Sequence, residues 1–426
     1  MTATAPPAPP ARGDLAGAWL LAALWAAVML ALRWGTWGED VAALYMAGHF
    51  WRQGAFDMLY LAPEGFFGGS PPGWLPAMQA LGIGDRIAFP FVYPPIWAAA
   101  LAPLTAILSP QGFCNLALAL QVPMLAASAL LAARITRPAR LTLMQHTGVL
   151  LLLVTVLVPG VSALHFNQPT ITATFLTLLA FERTAAGRPV AGGSALALAA
   201  AIKLSPAAFA LVLLLDRQWR ALAAFVVAGL LLGGLNLAIA PAGVQAAFLA
   251  ALATATETVL IAPMNAGLRS ALAILGTADL RAATAPLIHL PGASAADAAL
   301  RAALPLALAL AALALRRAAP PLRLSRGLVA VGLALPLFGP IGWLHYYLLP
   351  MLLLPGLALR SGAPLSDRAL PLLAALLLLK PVFDLLTGLP GGQALAVLLI
   401  ASVCLLLFLQ VLRRPLGPRG RDHHFS

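Results

Sequence analysis

Long apolar runs, separated by short polar breaks, occupy nearly the whole chain. The first extends from Leu15 to Leu32, and the last covers positions 393–412. A helix needs about 20 mostly apolar residues to cross a bilayer, so runs of this length indicate spans. The short alternating strands that a membrane barrel requires are absent from the pattern. The pattern therefore predicts an all-α, polytopic transmembrane helical bundle of about 12 spans.

Composition agrees with a bilayer as the solvent. Apolar residues make up 61% of the 426 positions and charged residues only 9%, and the mean hydropathy is +0.92. The net charge of +12 could indicate nucleic acid, but the cations stand at the ends of apolar runs and are not clustered on one face. We interpret them as the Lys and Arg excess of cytoplasmic loops, and we expect no nucleic-acid partner.

Three regions are predicted along the chain. Residues 1–14 are rich in Pro and Ala and should form a disordered cytoplasmic tail, and residues 413–426 should form a basic cytoplasmic tail. Residues 15–412 form the membrane domain, whose first apolar run is too long for a typical signal peptide and is expected to be retained. Cytoplasmic turns are marked by arginines, among them Arg134, Arg137, Arg140, Arg316, Arg317, Arg323 and Arg326.

The first loop, residues 34–88, differs from the rest of the chain in charge. It contains five acidic residues and two arginines, so it is expected on the non-cytoplasmic side. Apolar residues recur within it at helical spacing, while Asp40, His49 and Arg52 lie off that stripe. This pattern predicts a short amphipathic helix lying on the membrane surface. The stripe consists of Val41, Leu44, Tyr45, Gly48 and Trp51.

Three other segments leave alternatives open. Residues 241–297 are predicted to form a second larger loop. Residues 190–216 are interrupted by Lys203 and Pro206, so they form either two half-helices or one kinked span. With residues 34–88 outside and Arg134 inside, the two apolar runs within 90–133 cannot both be ordinary spans. Either one of them is re-entrant or the arginine rule fails there.

Glu39 and Asp40 are the strongest candidates for chemistry. Carboxylates close to hydrocarbon are energetically costly and usually functional. A carboxylate at the membrane surface can deprotonate an alcohol that attacks a sugar carbon, and partial burial would raise its pKa toward a useful range. The alternative is a solvated pair of loop acids that only marks the topology.

Further candidates are cations and polar groups that could stabilise a leaving phosphate, since negative charge develops there. Lys203 is notable because the chain has only two lysines, although it could equally be a residue that snorkels to a membrane face. His345 begins an apolar run beside Trp343, and an aromatic belt with a satisfied histidine is its alternative role. Tyr93, in the Pro-containing segment FVYPP, could offer a hydroxyl to a sugar. The remaining candidates are Arg269, Gln168 and Asn265.

Motifs for nucleotides and metals are missing. The chain has no GxxxxGK[ST], no GxGxxG after a strand and no HExxH. We expect no cofactor and no metal site. A divalent cation is possible but unsupported, because only Glu39 and Asp40 offer adjacent oxygen ligands.

Taken in order, these pieces resemble glycosyltransferase family 87, a group of membrane mannosyltransferases within the GT-C superfamily. The resemblance extends from Asp40 to Pro350 and rests on the order of its segments. Those segments are Glu39-Asp40 with Tyr45, Gly54 to Tyr60, FVYPP, Asn167-Gln168, AIKLSP with the RQWR that follows, Asn265, and HYYLLP.

The resemblance implies a GT-C fold and transfer of a sugar, commonly mannose, from a polyprenyl-phosphate donor with inversion. It implies that Asp40, with Glu39 beside it, is catalytic, and that a glycan or glycolipid is the acceptor. Substrate contacts are expected from Tyr45, Tyr93, Gln168, Lys203, Asn265, Arg269 and His345. Many members have Gly-Gln where this chain has Asn167-Gln168, so Gln168 fits the pattern and Asn167 departs from it.

This places the protein in the inner (plasma) membrane as a multi-pass enzyme whose site faces the periplasm or exterior, with membrane lipids as further partners. Two other classes remain open at this point. A transporter or flippase of lipid-linked glycans would place charges along a path through the membrane, often between two related halves. A non-catalytic scaffold of an envelope-building complex would need none of the site residues. Asp40, Lys203 and His345 around one cavity would favour the enzyme.

Overall fold

The fold was analysed in a computed structural model. It describes residues 11–63, 66, 68–276, 288–291, 299–316, 318–359 and 365–413. Most of the predicted N-terminal tail, residue Glu64 of the first loop and nearly all of the predicted C-terminal tail lie outside the described residues.

Nearly all of the regular structure is helical. The helices of the first half are α1 Arg12–Arg33, α2 Glu39–Gln53, α3 Leu75–Ala80, α4 Pro95–Leu101, α5 Leu104–Ile107, α6 Pro110–Thr136, α7 Leu143–Val156, α8 Val158–His165, α9 Thr170–Ala185 and α10 Pro189–Ile202. Short 3₁₀ turns lie at Phe56–Met58 and Pro72–Trp74.

The second half begins with the 3₁₀ segment Ser205–Phe209, and a further one covers Leu344–Tyr347. Its helices are α11 Ala210–Leu215, α12 Trp219–Ile239, α13 Ala242–Glu257, α14 Leu268–Leu275, α15 Ala303–Leu315, α16 Pro320–Phe338, α17 Leu348–Ala358, α18 Leu365–Leu378, α19 Lys380–Thr387 and α20 Gly392–Leu412. Two short strands, β1 Thr258–Ile261 and β2 Ile288–Pro291, pair antiparallel with Thr258 opposite Pro291. This pair is a small departure from the all-α prediction.

Four of the described helices, α1, α6, α12 and α20, are long and apolar enough to cross a membrane. The prediction of about 12 spans is not confirmed, because several apolar runs are broken into shorter helices. The run after FVYPP is divided at Pro103, and the run from Leu141 is divided between α7 and α8 just before Pro159. Proline removes a backbone donor and clashes with the preceding turn, so an apolar run that contains it need not be one helix.

Helices α1 and α6 define two ends of the bundle. At one end Asp14 accepts hydrogen bonds from the backbone N–H groups of Leu143 (2.8 Å) and Met144 (2.9 Å). At the other end the N–H of Gly35, just after α1, donates to the Asn115 side chain near the start of α6 (3.1 Å). We call the first the arginine end, because Arg134 and Arg137 close α6 there, and the second the loop end.

The short lengths of α4 and α5 bear on whether both apolar runs within 90–133 are ordinary membrane spans. Together they cover Pro95–Ile107, which is shorter than a spanning helix, whereas α6 is 27 residues long. Only the second of the two apolar runs within 90–133 therefore has the length of a full span. The first segment packs mainly against α2.

The predicted helix of the first loop exists, but it is not a surface helix. Most of α2 is buried against the protein, including His49, which was expected to lie off the apolar stripe. It belongs to a second hydrophobic core with Phe50, Trp74 and Phe91, separate from the core of the main bundle. The first loop is thus a folded unit that holds the start of α2 in a fixed place.

Two other predicted boundaries differ from the structure. The segment 241–297, predicted as a loop, contains α13, β1, α14 and β2. Its alanine-rich start forms α13 because alanine favours helices and Pro241 precedes the first turn. The first helix begins at Arg12, so the last residues of the predicted tail are helical.

Candidate active site

A small cavity of about 130 Å³ lies at the loop end, where the first loop meets the breaks between later helices. It brings together five of the nine residues that the sequence singled out, and the outermost two, Asp40 and His345, are 305 positions apart in the chain. Those predicted residues are Asp40, Tyr93, Gln168, Lys203 and His345.

Asp40 enters the cavity from the first turn of α2. Helix α2 is not one of the spanning helices. The side chain of Asp40 is half-buried and lines the cavity. Burial raises the pKa of Asp40 to about 7, although the charge of Lys203 and a hydrogen bond from Gln168 lower it and the charge of Glu39 raises it further. A carboxyl group with a pKa in this range can act as a base near neutral pH.

The break between α8 and α9 presents Gln168 to Asp40. Asn167 has a left-handed backbone, with φ of 51°, which glycine adopts freely and asparagine tolerates. Its amide donates to the carbonyl of Cys114 (2.9 Å), and Gln121 donates to its side chain (3.0 Å). These two hydrogen bonds hold Asn167 in its left-handed conformation. Gly38 passes so close to Asn167 that a Cβ there would clash.

Lys203 lies where α10 ends. Its backbone is extended (φ −135°, ψ 134°), and the 3₁₀ segment with Pro206 follows. The ammonium group donates to the hydroxyl of Thr170 (2.7 Å) and to the Gln168 side-chain oxygen (3.3 Å), and it lies 4.3 Å from the centre of the Tyr346 ring. Within the described part of the chain, no ion pair joins Lys203 to Asp40. The structure has two helical pieces here, so a single kinked span is excluded.

His345 comes from the 3₁₀ turn before α17, and Asn265 fixes that turn. The Asn265 oxygen accepts from the N–H of Gly342 (2.7 Å), and its amide donates to the carbonyl of Leu260 (2.7 Å). Leu344 donates to the carbonyl of Met264 (2.8 Å). Asn265 is thus a positioning residue that does not line the cavity, and its predicted contact with substrate stays a prediction.

Three further candidates also lie away from this cavity. The Tyr45 hydroxyl donates to the carbonyl of Leu108 (3.1 Å) inside the second core. Arg269 is 3% exposed and donates to the carbonyl of Thr256 (2.8 Å). Glu39 turns from the cavity, and its buried Oε2 has no hydrogen-bond partner among the described residues. Helix geometry explains why Glu39 does not line the cavity although Asp40 does, because adjacent residues on a helix point about 100° apart.

Part of the cavity wall was not predicted from the sequence. Trp343 and Tyr346 line it, and an aromatic belt was only the alternative considered for His345 and its neighbours. Thr170 holds Lys203. Trp343, Tyr346 and Thr170 lie directly after a helix break, as Gln168 and Lys203 do. That shared position is the sequence signal that could have found them. The other lining residues are Phe89, Pro90, Val92, Phe166 and Met264. Among the described residues, no three His, Cys, Asp or Glu side chains lie together as metal ligands would.

A long apolar groove of about 490 Å³ continues from the cavity. The two share Val92, Tyr93, Lys203 and Tyr346, so the charge of Lys203 stands at their junction. Beyond that junction the groove is lined mainly by apolar residues of α13, α15 and α16, such as Phe248 and Leu304, whereas α9 contributes mostly threonines. This geometry suits a molecule with a polar end, an anionic link and an apolar chain.

A comparison of sequences identifies the family of this chain. The chain matches glycosyltransferase family 87 over residues 91–340, which is more than half of its length. The matched range includes Tyr93, Gln168 and Lys203, whereas Asp40 precedes it and His345 follows it. Comparisons with curated proteins and with solved structures give no match. The chain therefore belongs to glycosyltransferase family 87 and is a membrane glycosyltransferase of GT-C type.

Proposed function

We propose that the protein transfers a sugar, with mannose as the first candidate, from a polyprenyl-phosphate carrier to an acceptor hydroxyl with inversion at C1. One observation supports this above the others. Asp40 and Lys203 face the same small cavity, and the apolar groove begins at Lys203. Sugar, phosphate and lipid chain would then lie in the cavity, beside Lys203 and in the groove, in that order.

In this proposal Asp40 is the general base. It takes the proton of the acceptor hydroxyl, whose oxygen attacks C1 of the donor sugar through an oxocarbenium-like transition state. The bond between C1 and the phosphate oxygen breaks, and its electron pair leaves with the polyprenyl phosphate. The raised pKa of Asp40 suits this role, because a carboxylate of ordinary pKa would be a weak base near neutrality.

Lys203 stabilises the leaving phosphate. Its ammonium group is held by Thr170 and Gln168 and is not neutralised by an ion pair with Asp40, so its charge remains available to an anion. Preorganised charge in a water-poor site is a large contribution to catalysis. The Nε2 of His345 is buried without a hydrogen-bond partner among the described residues, and we assign it to a sugar hydroxyl.

Orientation follows from charge. The arginine end suits the cytoplasmic face because cytoplasmic loops are enriched in Lys and Arg. The loop end, with Asp40, then faces the non-cytoplasmic side of the inner membrane, which is the periplasm or the cell exterior. A lipid-carried donor suits this side, where nucleotide sugars are not expected.

The test is transfer by the purified protein from synthetic polyprenyl-phosphate mannose to membranes of a deletion strain, with nucleotide-activated mannose as the alternative donor. We expect the lipid donor to work and the nucleotide donor to fail. Transfer from the nucleotide sugar alone would contradict the proposal. A panel of other polyprenyl-phosphate sugars, and the anomeric configuration of the product by NMR, settle sugar and stereochemistry.

A further inference from the structure

Gln168 contacts both charged groups of the cavity. Its side-chain Oε1 accepts a hydrogen bond from the ammonium group of Lys203 (3.3 Å), and its amide donates a hydrogen bond to Asp40. Asp40 and Lys203 form no ion pair within the described part of the chain, although both line the same cavity of about 130 Å³. The amide group of Gln168 therefore connects the proposed base to the proposed cation.

Two donors fix the orientation of that amide. The Thr170 hydroxyl donates to Gln168 Oε1 (3.3 Å) and accepts from Lys203 (2.7 Å), so Thr170 and Lys203 both donate to the amide oxygen. An amide oxygen only accepts and an amide nitrogen only donates, which directs the Nε2 group of Gln168 toward Asp40. The hydrogen bonds thus all point from the cation toward the carboxylate, an arrangement in which each bond polarises the next.

The backbone of the α8–α9 break holds Gln168 in this place. The N–H of Gln168 donates to the carbonyl of Ala163 (2.8 Å), and its carbonyl accepts from the N–H of Ile171 in the first turn of α9 (3.0 Å). The residue is 4% exposed, so packing restricts its rotamers. Asp40 comes from α2 and Lys203 from the end of α10. A fixed amide therefore links two charged side chains that belong to different helices.

A bridge of this length suits transfer with inversion. The acceptor oxygen attacks C1 on one face while the phosphate leaves from the other, so the base and the cation must stand apart. In inverting glycosidases, the two carboxyl groups that act on opposite faces of the sugar lie about 6.5–9.5 Å apart. Two hydrogen bonds of about 3 Å each, joined through one amide group, separate the outer atoms by roughly 6–8 Å. A direct ion pair, within about 4 Å, would leave no room for the sugar carbon.

We infer that Gln168 is a positioning residue that keeps Asp40 and Lys203 from closing into an ion pair, and that it acts through these two groups and not by binding the sugar. The inference rests on the proposed function for the roles of the two charges. Opposite charges in a partly buried site attract strongly. If they met, the carboxylate would be a weaker base and the leaving phosphate would lose its cation.

Gln168→Met removes the hydrogen bonds of the amide and keeps a side chain of similar length. The ion pair that then forms should lower the pKa of Asp40 by about 1 or more, as an adjacent opposite charge does. If Gln168 were only a donor to Asp40, its loss would instead raise that pKa, because the hydrogen bond stabilises the charged carboxylate. A higher or unchanged pKa in Gln168→Met would overturn the inference.

Infrared difference spectroscopy of the purified full-length protein measures this pKa during a pH titration without substrate. The band of the protonated Asp40 carboxyl group is identified by its absence in Asp40→Asn. This measurement does not depend on turnover. A protein that failed to transfer sugar would contradict the proposed function, while the direction of the infrared shift would still decide whether Gln168 separates the two charges.

Neighbouring groups do not obscure the titration. Burial lowers the pKa of His345 and raises the pKa of Tyr93 and of Tyr346, so all three rings stay neutral where the carboxyl group titrates. Glu39 is retained in every variant. The titratable and charged groups that face Asp40 are Glu39, Tyr93, Lys203, His345 and Tyr346.

Kinetics distinguish positioning from substrate contact. Gln168→Met should lower kcat for transfer from the polyprenyl-phosphate donor by about 10- to 100-fold, because the two groups that act in the transition state are no longer held apart. A contact made equally with the bound substrate and the transition state would raise KM and leave kcat unchanged. That second result would show that Gln168 binds substrate, and it would overturn the inference.

Thr170 gives a second test that does not depend on the folding of Gln168→Met. Thr170→Val removes the hydroxyl that anchors Lys203 and preserves the shape of the side chain, so it should lower the pKa of Asp40 by less than Gln168→Met does. Thr170→Ser keeps a hydroxyl and should restore the wild-type pKa. The same pKa in Thr170→Val, Thr170→Ser and the wild type would contradict the anchoring of the cation away from the base.

Two further variants complete the design. Gln168→Met combined with Lys203→Met should raise the pKa of Asp40, because no cation remains to pair with it; a pKa that stays low would overturn the inference. Gln121→Met is the matched control. Gln121 is a buried glutamine of α6 that donates to Asn167 in the same break but does not line the polar cavity. It should leave the pKa of Asp40 unchanged, and a shift equal to that of Gln168→Met would show that any disturbance of the break has this effect.

Discussion

At the arginine end of the bundle, buried carboxylates are paired with cations. Glu182 is 5% exposed and contacts both Arg134 (2.7 Å) and Arg183, and Asp216 lies 3.5 Å from Arg323. At the loop end, Asp40 and Lys203 line one cavity without forming an ion pair within the described part of the chain. The paired charges at the arginine end neutralise one another. The separated charges of the cavity remain able to act on a substrate, at the expense of local stability.

The largest expected effect comes from removing the base. Asp40→Asn keeps the shape of the side chain but cannot accept the proton, so we expect transfer to fall by about 10²- to 10⁴-fold. The measurement is the rate of sugar transfer from the lipid carrier by purified protein. Wild-type activity in this variant would refute the assignment.

Glu39→Gln is the matched control for Asp40→Asn. Glu39 is the neighbouring carboxyl group and does not line the cavity, so we expect a loss below about tenfold. Asp40→Asn should also unfold at no lower temperature than the wild type, because it removes a carboxyl group whose burial is unfavourable. A large drop in stability would mean that Asp40 is paired in the folded protein.

The next effect comes from the cation. Lys203→Met should lower the rate by about 10²- to 10³-fold, as expected when one group that stabilises a developing anion is lost. The chain supplies its own control, because Lys380 is the other lysine and lies in an exposed pair with Asp384. Lys380→Met should retain full activity. Equal losses in the two variants would show that the effect is not local to the cavity.

A pH profile tests whether the two cavity charges interact. A base must be deprotonated to act, so the wild-type rate should fall as the pH drops below about 7, the pKa of Asp40. The charge of Lys203 lowers that pKa, so its removal in Lys203→Met should raise the pKa and move the acid limb of kcat/KM to higher pH. Lys380→Met should leave the limb in place. An unchanged acid limb in Lys203→Met would show that the charge of Lys203 does not affect the pKa of Asp40.

A substitution in the buried pairs of the arginine end should lower the stability of the protein without affecting catalysis. Glu182→Gln leaves Arg134 and Arg183 without their carboxylate, and we expect the free energy of unfolding to fall by about 1–3 kcal/mol. The activity per folded molecule should stay at the wild-type level. Thermal unfolding in detergent, followed by intrinsic fluorescence, measures the first quantity. A loss of activity without a loss of stability would contradict the contrast between the two ends.

The smallest effect is expected at an exposed pair. Asp384→Asn breaks the contact with Lys380. The side chains of Lys380 and Asp384 are 44% and 53% exposed. Solvent-exposed pairs contribute about 0–1 kcal/mol, so unfolding should hardly change. A shift as large as that of Glu182→Gln would show that burial does not explain the difference between these pairs.

Part of the site was predictable from sequence alone. The charge of residues 34–88 and the apolar runs around it indicated that Asp40 stands at a membrane surface, and the ordered motifs indicated the family that the comparison supports. Gln168 and Lys203 were recognisable because each interrupts an apolar run. Tyr346 and Thr170 stand beside such interruptions too, and that position is the one signal that could have found them. The signal is weak, because their residue types are common at interfacial and helix-start positions.

The sequence by itself determined that the protein is a helical membrane protein and which polar residues lie at its helix breaks, because apolar run length and proline position act locally. Only the tertiary structure decided which breaks meet. Tyr45, Asn265 and Arg269 are polar residues, as several cavity residues are, yet their side chains donate to backbone carbonyls elsewhere. Asp40 and Glu39 are neighbours in the chain, and helix geometry directs only one of them into the cavity. Such contacts depend on how distant helices pack, and no local pattern records that packing.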